Sequence, residues 1–397
     1  MLAYLDHAAT TPLRPEAAAA MDHWLTPGTL ANPSGAHSAA AAARQALDEA
    51  REVVSEILGT AAGDVVFTGS GSEAANLALL GRAQAVPGPL VVSAVEHHAV
   101  LHAAGAAERA GWGELRVVRV DGDGVIDLEA LGRALDGHVS VVSVQLVNNE
   151  VGVLQPLAEV ARLVRRRAPR ALLHTDAVQA APWYDLADLA AGADLVSISA
   201  HKFGGPPGVG ALAFRSPVNL EAIIHGGPQE RERRAGTQNV AGAVGLAAAL
   251  RASAHERAPA SERTRQLRDR LCAGLLNAIP GVHETAAGRE KAPGHCHLVI
   301  EGVESEALLI LLDESGVAAS AGSACASGAI GPSHVLQAMG YASEAALGAL
   351  RLTLGHTTTG ADIDVALAAV PAAVEKLRAR RAGRGGALAA TGARGGS

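Results

Sequence analysis

The feature that most constrains this chain is a series of short apolar runs between about residues 65 and 215: "DVVFT", "PLVVSAV", "LRVVRVD", "VSVVSVQLV", "ALLHT", "DLVSIS" and "VGALAF". Ala-rich stretches of helical period separate them. A strand with one wet face alternates apolar and polar residues; a strand covered on both faces has no need to. Their near-continuous Val, Leu and Ile therefore predict a mostly parallel seven-stranded sheet flanked by helices, an α/β fold. Aromatic residues make up only 2% of the chain, so Ala, Val and Leu must fill the interior. A chain of 397 residues also exceeds what one core usually serves, which implies more than one domain. After residue 250 the pattern changes to a long amphipathic helix carrying Leu267, Leu271, Leu275 and Ile279. The strand-like "CHLVIEG", a further helix and "LRLTLG" follow. The expected division is a large domain over 14–250, a smaller α+β domain formed by 1–13 and 251–378, and a disordered tail over 379–397.

The formal charge of -7 argues against a nucleic-acid surface covering the protein. No apolar run reaches the roughly 18 residues needed to span a bilayer, and three scattered cysteines do not make a disulfide framework. A cytoplasmic enzyme is the expected class.

In an open parallel sheet, ligands bind beyond the carboxyl ends of the strands. Here those ends are polar: Glu96 and His97 follow one run, Asn148, Asn149 and Glu150 the next, Asp176 another, and His201 and Lys202 the last. The first run ends in "TGSGSEAAN", where glycines and Ser72 open a helix; such a turn serves equally as a plain cap or as a cradle of backbone N–H groups for a phosphate. Lysine is rare here: Lys202, Lys291 and Lys376 are the only three, although Lys and Arg together number 33. A lysine can shed its proton and add to a carbonyl as an imine, which an arginine cannot. Lys202 in "SAHKFGGPPGVGAL" stands among the strand-end polar residues, whereas Lys291 and Lys376 read as surface lysines. A phosphate cradle, a strand-end carboxylate and a strand-end lysine are the fixed points that a pyridoxal cofactor needs.

The ordered motifs "YLDHAATTP", "NPSGAHS", "FTGSGSEAAN", "VEHHAV", "VNNEVG", "HTDAVQ", "SAHKFGGPPGVGAL", "RAGTQN", "SAGSACASG", "PSHVL" and "RLTLGHTTT" cover nearly the whole chain. In them the sequence resembles the cysteine desulfurases of the class V aminotransferase group, pyridoxal 5'-phosphate enzymes of fold type I. The resemblance implies that Lys202 bonds covalently to the cofactor, Asp176 pairs with its ring nitrogen, Gln179 bonds its ring hydroxyl and His97 stacks on its face. Gly71, Ser72, Ser199 and His201 would hold the phosphate. Thr237 matches the residue that completes that site from the neighbouring subunit of a homodimer. Asn149 and Arg351 match the groups that receive the substrate carboxylate, and Cys325 matches the nucleophile that takes sulfur from L-cysteine as a persulfide, leaving L-alanine. A protein acceptor would then take the sulfur, for iron–sulfur assembly or for thiolation of tRNA or a cofactor.

Beside that resemblance the residues read as follows. Arg351 lies on the strand face opposite Leu350, Leu352 and Leu354, where an exposed arginine is as natural as a ligand-binding one. Cys272 sits on an amphipathic helix and Cys296 alternates with Leu298 and Ile300, so both read as core. His295 and His297 share a face, but two ligands fall short of a metal site, and no metal is expected. His356 stands where relatives commonly have arginine, Ser72 replaces threonine, and Pro207 replaces a lysine. Selenocysteine lyase and cysteine sulfinate desulfinase are the nearest alternatives; an aminotransferase and a catalytically silent sulfur-transfer scaffold are more distant ones.

Overall fold

The computed structural model describes residues 2–30, 32–215, 218–322 and 332–392, with side chains described through Arg381. Twelve strands occur among them: β1 (Ala3–Tyr4), β2 (Val65–Thr68), β3 (Leu90–Ser93), β4 (Leu115–Val118), β5 (Val141–Ser143), β6 (Leu172–Asp176), β7 (Leu195–Ser199), β8 (Gly210–Phe214), β9 (Val282–Glu284), β10 (His295–Ile300), β11 (Val317–Ala318) and β12 (Ala349–Thr353). The seven predicted runs become β2 to β8 and form one sheet in the order β2-β8-β7-β6-β5-β3-β4. β3 to β7 and β4 pair in parallel, while β8 runs antiparallel to both β7 and β2.

Side-chain alternation shows why those runs carry no polar face. Val91, Val142, Leu173, Val196 and Ala211 enter one core, and their neighbours Val92, Val141, Leu195 and Leu212 enter another on the opposite face of the sheet. The first core is closed by the helices Ser38–Leu58 and Leu157–Arg167, the second by Gly71–Ala85 and His98–Arg109. Small alanines on these helices, such as Ala74, Ala75, Ala78 and Ala104, let helix and sheet approach closely with few aromatics. The edge strand β4 is the most open to solvent of the seven.

A separate core lies beneath an antiparallel sheet of order β12-β10-β9 and gathers Ala3 and Leu5, Leu271, Leu275, Cys296, Leu298, Leu350, Leu352 and Ile363. β1 joins this part of the molecule by pairing in parallel with β11. The two parts share one element that the sequence reading cut in two: the helix Val240–Ala278 begins ten residues before the expected change of pattern at 250. The side chain of Asn239 caps it by accepting from the Gly242 N–H at 2.9 Å. Its first turns bury Ala243, Leu246 and Leu250 in the large core and its last turns bury Leu271 and Leu275 in the small one, so its apolar stripe changes partner midway. The C-terminal helix, Gly360–Gly392, also runs past residue 378, into the segment expected to be disordered.

Candidate active site

Beyond the carboxyl ends of β3, β5, β6 and β7 lies a cleft of about 310 Å³. Its lining includes Gly71, Ser72, His97, Asn149, Asp176, Gln179, Ser199, His201, Lys202 and Arg351. Two further candidate site residues lie elsewhere in the chain. Thr237 is exposed, in the segment before the helix Val240–Ala278, and Cys325 lies outside the described residues.

The anion end of the cleft is the start of the helix Gly71–Ala85. Ser70 caps it, accepting from Glu73 N–H at 3.1 Å, and Glu73 Oε2 accepts from Gly69 N–H at 2.7 Å, a reciprocal capping box. Arg234 in turn holds Glu73 at 2.8 Å. Gly71 has to be glycine: a Cβ there would stand 2.9 Å from Val178 Cγ2 and 3.1 Å from the Ser199 Cβ. Without a side chain, the first helical N–H groups meet the cleft beside the Ser72 and Ser199 hydroxyls, an arrangement suited to a phosphate.

Lys202 follows β7 on a single turn of 3-10 helix. Its Nζ donates to the carbonyls of Ala8 at 2.7 Å and Ala9 at 2.8 Å. Gln179 Nε2 donates to the same Ala8 carbonyl at 2.9 Å. The N-terminal segment thus forms part of the site, its backbone steering the lysine. Asp176 ends β6; burial raises its carboxyl pKa to about 6, against the opposing influence of a bond from Val178 N–H and the charge of Lys202. A cation placed beside Asp176 restores its carboxylate form, so this position favours a protonated ring nitrogen.

His97 caps the helix His98–Arg109, its Nδ1 accepting from Ala99 N–H at 3.1 Å. Burial, and after it the positive charge of Lys202, lowers its pKa to about 4. The ring is therefore neutral near pH 7, with its proton on Nε2, and presents a flat face in a chain nearly without aromatics. His201 is lowered to about 4 for the same two reasons, and its Nδ1 lies 3.2 Å from Thr10 Oγ1.

Arg351 enters from β12. It is buried, not exposed. Nη2 pairs with Asp6 Oδ1 at 2.9 Å and Nη1 donates to the Asn149 carbonyl at 2.8 Å, while Nε and Asn149 Oδ1 have no hydrogen-bond partner among the described residues. A fixed guanidinium beside the Asn149 side-chain amide offers N–H donors suited to a substrate carboxylate. The face of β10 and β12 that alternates with the small core is buried as well: His295 is 2% exposed and His297 is fully buried. Burial lowers both pKa values to about 3. Among the described residues no group of three His, Cys, Asp or Glu is arranged to hold a metal. Lys291 departs from the surface reading: it is buried, pairing with Glu284 at 2.6 Å and donating to the Thr285 carbonyl. Lys376 is exposed and Cys272 and Cys296 are buried, as their patterns predict.

Several contributors had no assigned role in the sequence. Asp6 and the Ala8 and Ala9 carbonyls belong to "YLDHAATTP", whose position in the chain does not reveal that it folds over Lys202. Glu96 lies under the cleft, fully buried, its Oε1 accepting from Gln145 N–H at 2.6 Å. Burial drives its carboxyl up to about 8. Glu150, also buried and raised, accepts from Ser333 at 2.5 Å.

The model of the aminotransferase class-V family matches residues 3–365. The chain is 42% identical to the IscS-like cysteine desulfurase of Mycobacterium tuberculosis, over 99% of this chain and 100% of that one. It is 38% identical to the cysteine desulfurase IscS of Methanosarcina thermophila, over 94% and 92%. Among solved structures, a NifS-like protein superposes with a TM-score of 0.87 at 32% identity, covering 94% of this chain and 100% of that one. SspA in complex with cysteine gives a TM-score of 0.78 at 29% identity, over 90% and 99%. With its sheet order, its strand-end cleft and these relatives along almost its whole length, the chain belongs to the class V aminotransferase family.

Proposed function

We propose that this protein is a cysteine desulfurase that uses pyridoxal 5'-phosphate to take sulfur from L-cysteine, leaving L-alanine and an enzyme persulfide on Cys325. The observation that carries this reading is the convergence of Lys202, Asp176, His97 and Arg351 on one cleft, in a chain whose curated relatives include named cysteine desulfurases.

The cleft residues fit the cofactor: N–H groups bared by Gly71 for the phosphate, Asp176 for the ring nitrogen, Gln179 for the ring hydroxyl, the His97 ring for its face and Lys202 for its aldehyde carbon. When bound, pyridoxal phosphate supplies an aldehyde and an electron-withdrawing ring that stabilises negative charge at the substrate Cα. Arg351 and Asn149 seat the substrate carboxylate, which fixes the direction of Cα–H. Lys202 Nζ removes that proton and later returns one. Cys325 attacks the substrate sulfur as a thiolate, the nucleophilic form of the residue; a sulfur–sulfur bond forms as the carbon–sulfur bond breaks.

On this reading Thr237 completes the phosphate site of a partner subunit in a homodimer, and a protein acceptor receives the persulfide sulfur. Among the described residues no helix is long and apolar enough to cross a membrane, which is compatible with cytoplasmic work. The test is incubation of the holo-protein with L-cysteine and dithiothreitol. Sulfide and alanine in equal amounts, without any keto acid, are expected, and borohydride should fix the cofactor on Lys202. Fixation on another residue, or alanine formed only when a keto acid is present, overturns the proposal. Faster turnover of selenocysteine or of cysteine sulfinate assigns the site to one of those substrates instead.

A further inference from the structure

The two cysteines away from the cleft lie together. Cys272, near the end of the helix Val240–Ala278, and Cys296, in mid-β10, belong to the same small core and touch each other. They differ in access. Cys296 is fully buried, whereas Cys272 keeps 5% exposure and lines a surface cleft of about 310 Å³ with Arg268, Arg289 and Lys291. Within that opening Glu284 is paired with Lys291 and Asp269 with Arg268. Cys296 faces away from the active site: its cross-strand partner Leu352 shares the small core, whereas His297, the next residue along β10, pairs with Arg351 on the other face.

We propose that Cys272 and Cys296 form an oxidisable dithiol, a modification site in which a small hydroperoxide entering this opening produces an intramolecular disulfide between the helix and β10. The Cys272 sulfur attacks one oxygen of hydrogen peroxide; the oxygen–oxygen bond breaks, Cys272 becomes a sulfenic acid, and the departing hydroxide takes the thiol proton and leaves as water. The sulfur of Cys296 then attacks the Cys272 sulfur. A sulfur–sulfur bond forms, and the departing hydroxide takes the Cys296 proton as a second water. Two thiols lose two electrons together and one peroxide becomes two waters.

The order of the steps follows from the surroundings. Cys272 lines the opening and so meets the peroxide first. The contact with Cys272 and complete burial hold the Cys296 thiol in its protonated form, so it reacts second and only with a sulfur already beside it.

The test uses purified holo-protein with Cys325→Ser, in which these two are the only thiols. Mild hydrogen peroxide is expected to reduce the thiol titre from two to none per chain, with loss of two hydrogens in mass and a cross-linked peptide pair that dithiothreitol reverses. Adding Cys272→Ser should leave Cys296 reduced under the same treatment. The proposal is overturned if both thiols persist under conditions that oxidise free cysteine, if Cys272 proceeds to sulfinic acid without a cross-link, or if Cys296 oxidises equally fast without Cys272. Because Cys325 is replaced, none of these outcomes depends on desulfurase activity.

Discussion

The two sheets place their polar residues in opposite ways. In the seven-stranded sheet the polar side chains of the cleft gather at or just beyond strand ends, at His97, Asn149, Asp176 and Lys202, while the strand faces are mostly apolar, the buried row Ser143, His174 and Ser197 being the main exception. In the small sheet the polar residues lie along the strands: Arg351 in the middle of β12, and His295 and His297 at the start and in the body of β10. Both arrangements bury polar groups beside a cleft. The large sheet does so because helices cover its faces and leave only its ends for a ligand. The small sheet does so because one face covers its own core while the other lies against the active-site part of the molecule. Alternation in a strand therefore signals two different environments, and the polar one need not be water.

The sharpest way to break this comparison is at Lys202, the strand-end residue whose chemistry no neighbour can supply. Lys202→Ala should lose on the order of a thousandfold or more in kcat, measured as alanine formation, while its fold by circular dichroism stays intact. Retained turnover would remove the strand-end row as the centre of catalysis.

Next comes the mid-strand residue that reaches the cleft. Arg351→Ala should lower kcat/KM for cysteine by about 30- to 150-fold, the equivalent of about 2–3 kcal/mol for a charged hydrogen-bonded contact. Arg351→Lys should recover only part of it, since an ammonium lacks the planar fork. An unchanged KM would mean that the polar face of the small sheet is structural throughout.

Lys291 tests the same sheet where no ligand is involved. Lys291→Met leaves Glu284 and the Thr285 carbonyl without their donor, and should cost about 3 kcal/mol in urea unfolding, with activity of the folded protein preserved within about twofold. A neutral result would return Lys291 to the surface class its sequence suggested.

The remaining effect depends on pH and is expected at Glu96. Its pKa is raised from 4.5 to about 8 by burial, so the folded state keeps a proton that the unfolded state has released. Stability is therefore greatest in acid and falls as pH rises from about 4.5 to about 8, where the folded carboxyl finally ionises. Glu96→Gln, which keeps an acceptor for Gln145 N–H, should flatten that fall and leave the variant the more stable protein at pH 8. Thermal unfolding measured across that interval checks it, and parallel curves for the two proteins would refute it.

Most of the large sheet was legible because doubly covered strands need uninterrupted Val, Leu and Ile, which local sequence displays. Its site was legible for a related reason: residues ending such strands have one place to go, and Lys202 stood out through the scarcity of lysine. Less could be read of the small sheet, of Lys291 and of "YLDHAATTP", where the meaning of a residue depends on what packs against it from far along the chain.

By itself the sequence determined the parallel sheet and the row of polar residues at its strand ends, since both rest on periodicity and side-chain type. The tertiary structure alone decided that Arg351 is buried against Asp6, that the Ala8 and Ala9 carbonyls steer Lys202, and that one helix serves two cores. Burial and partnership are properties of contacts between residues distant in the chain, and no local pattern carries them.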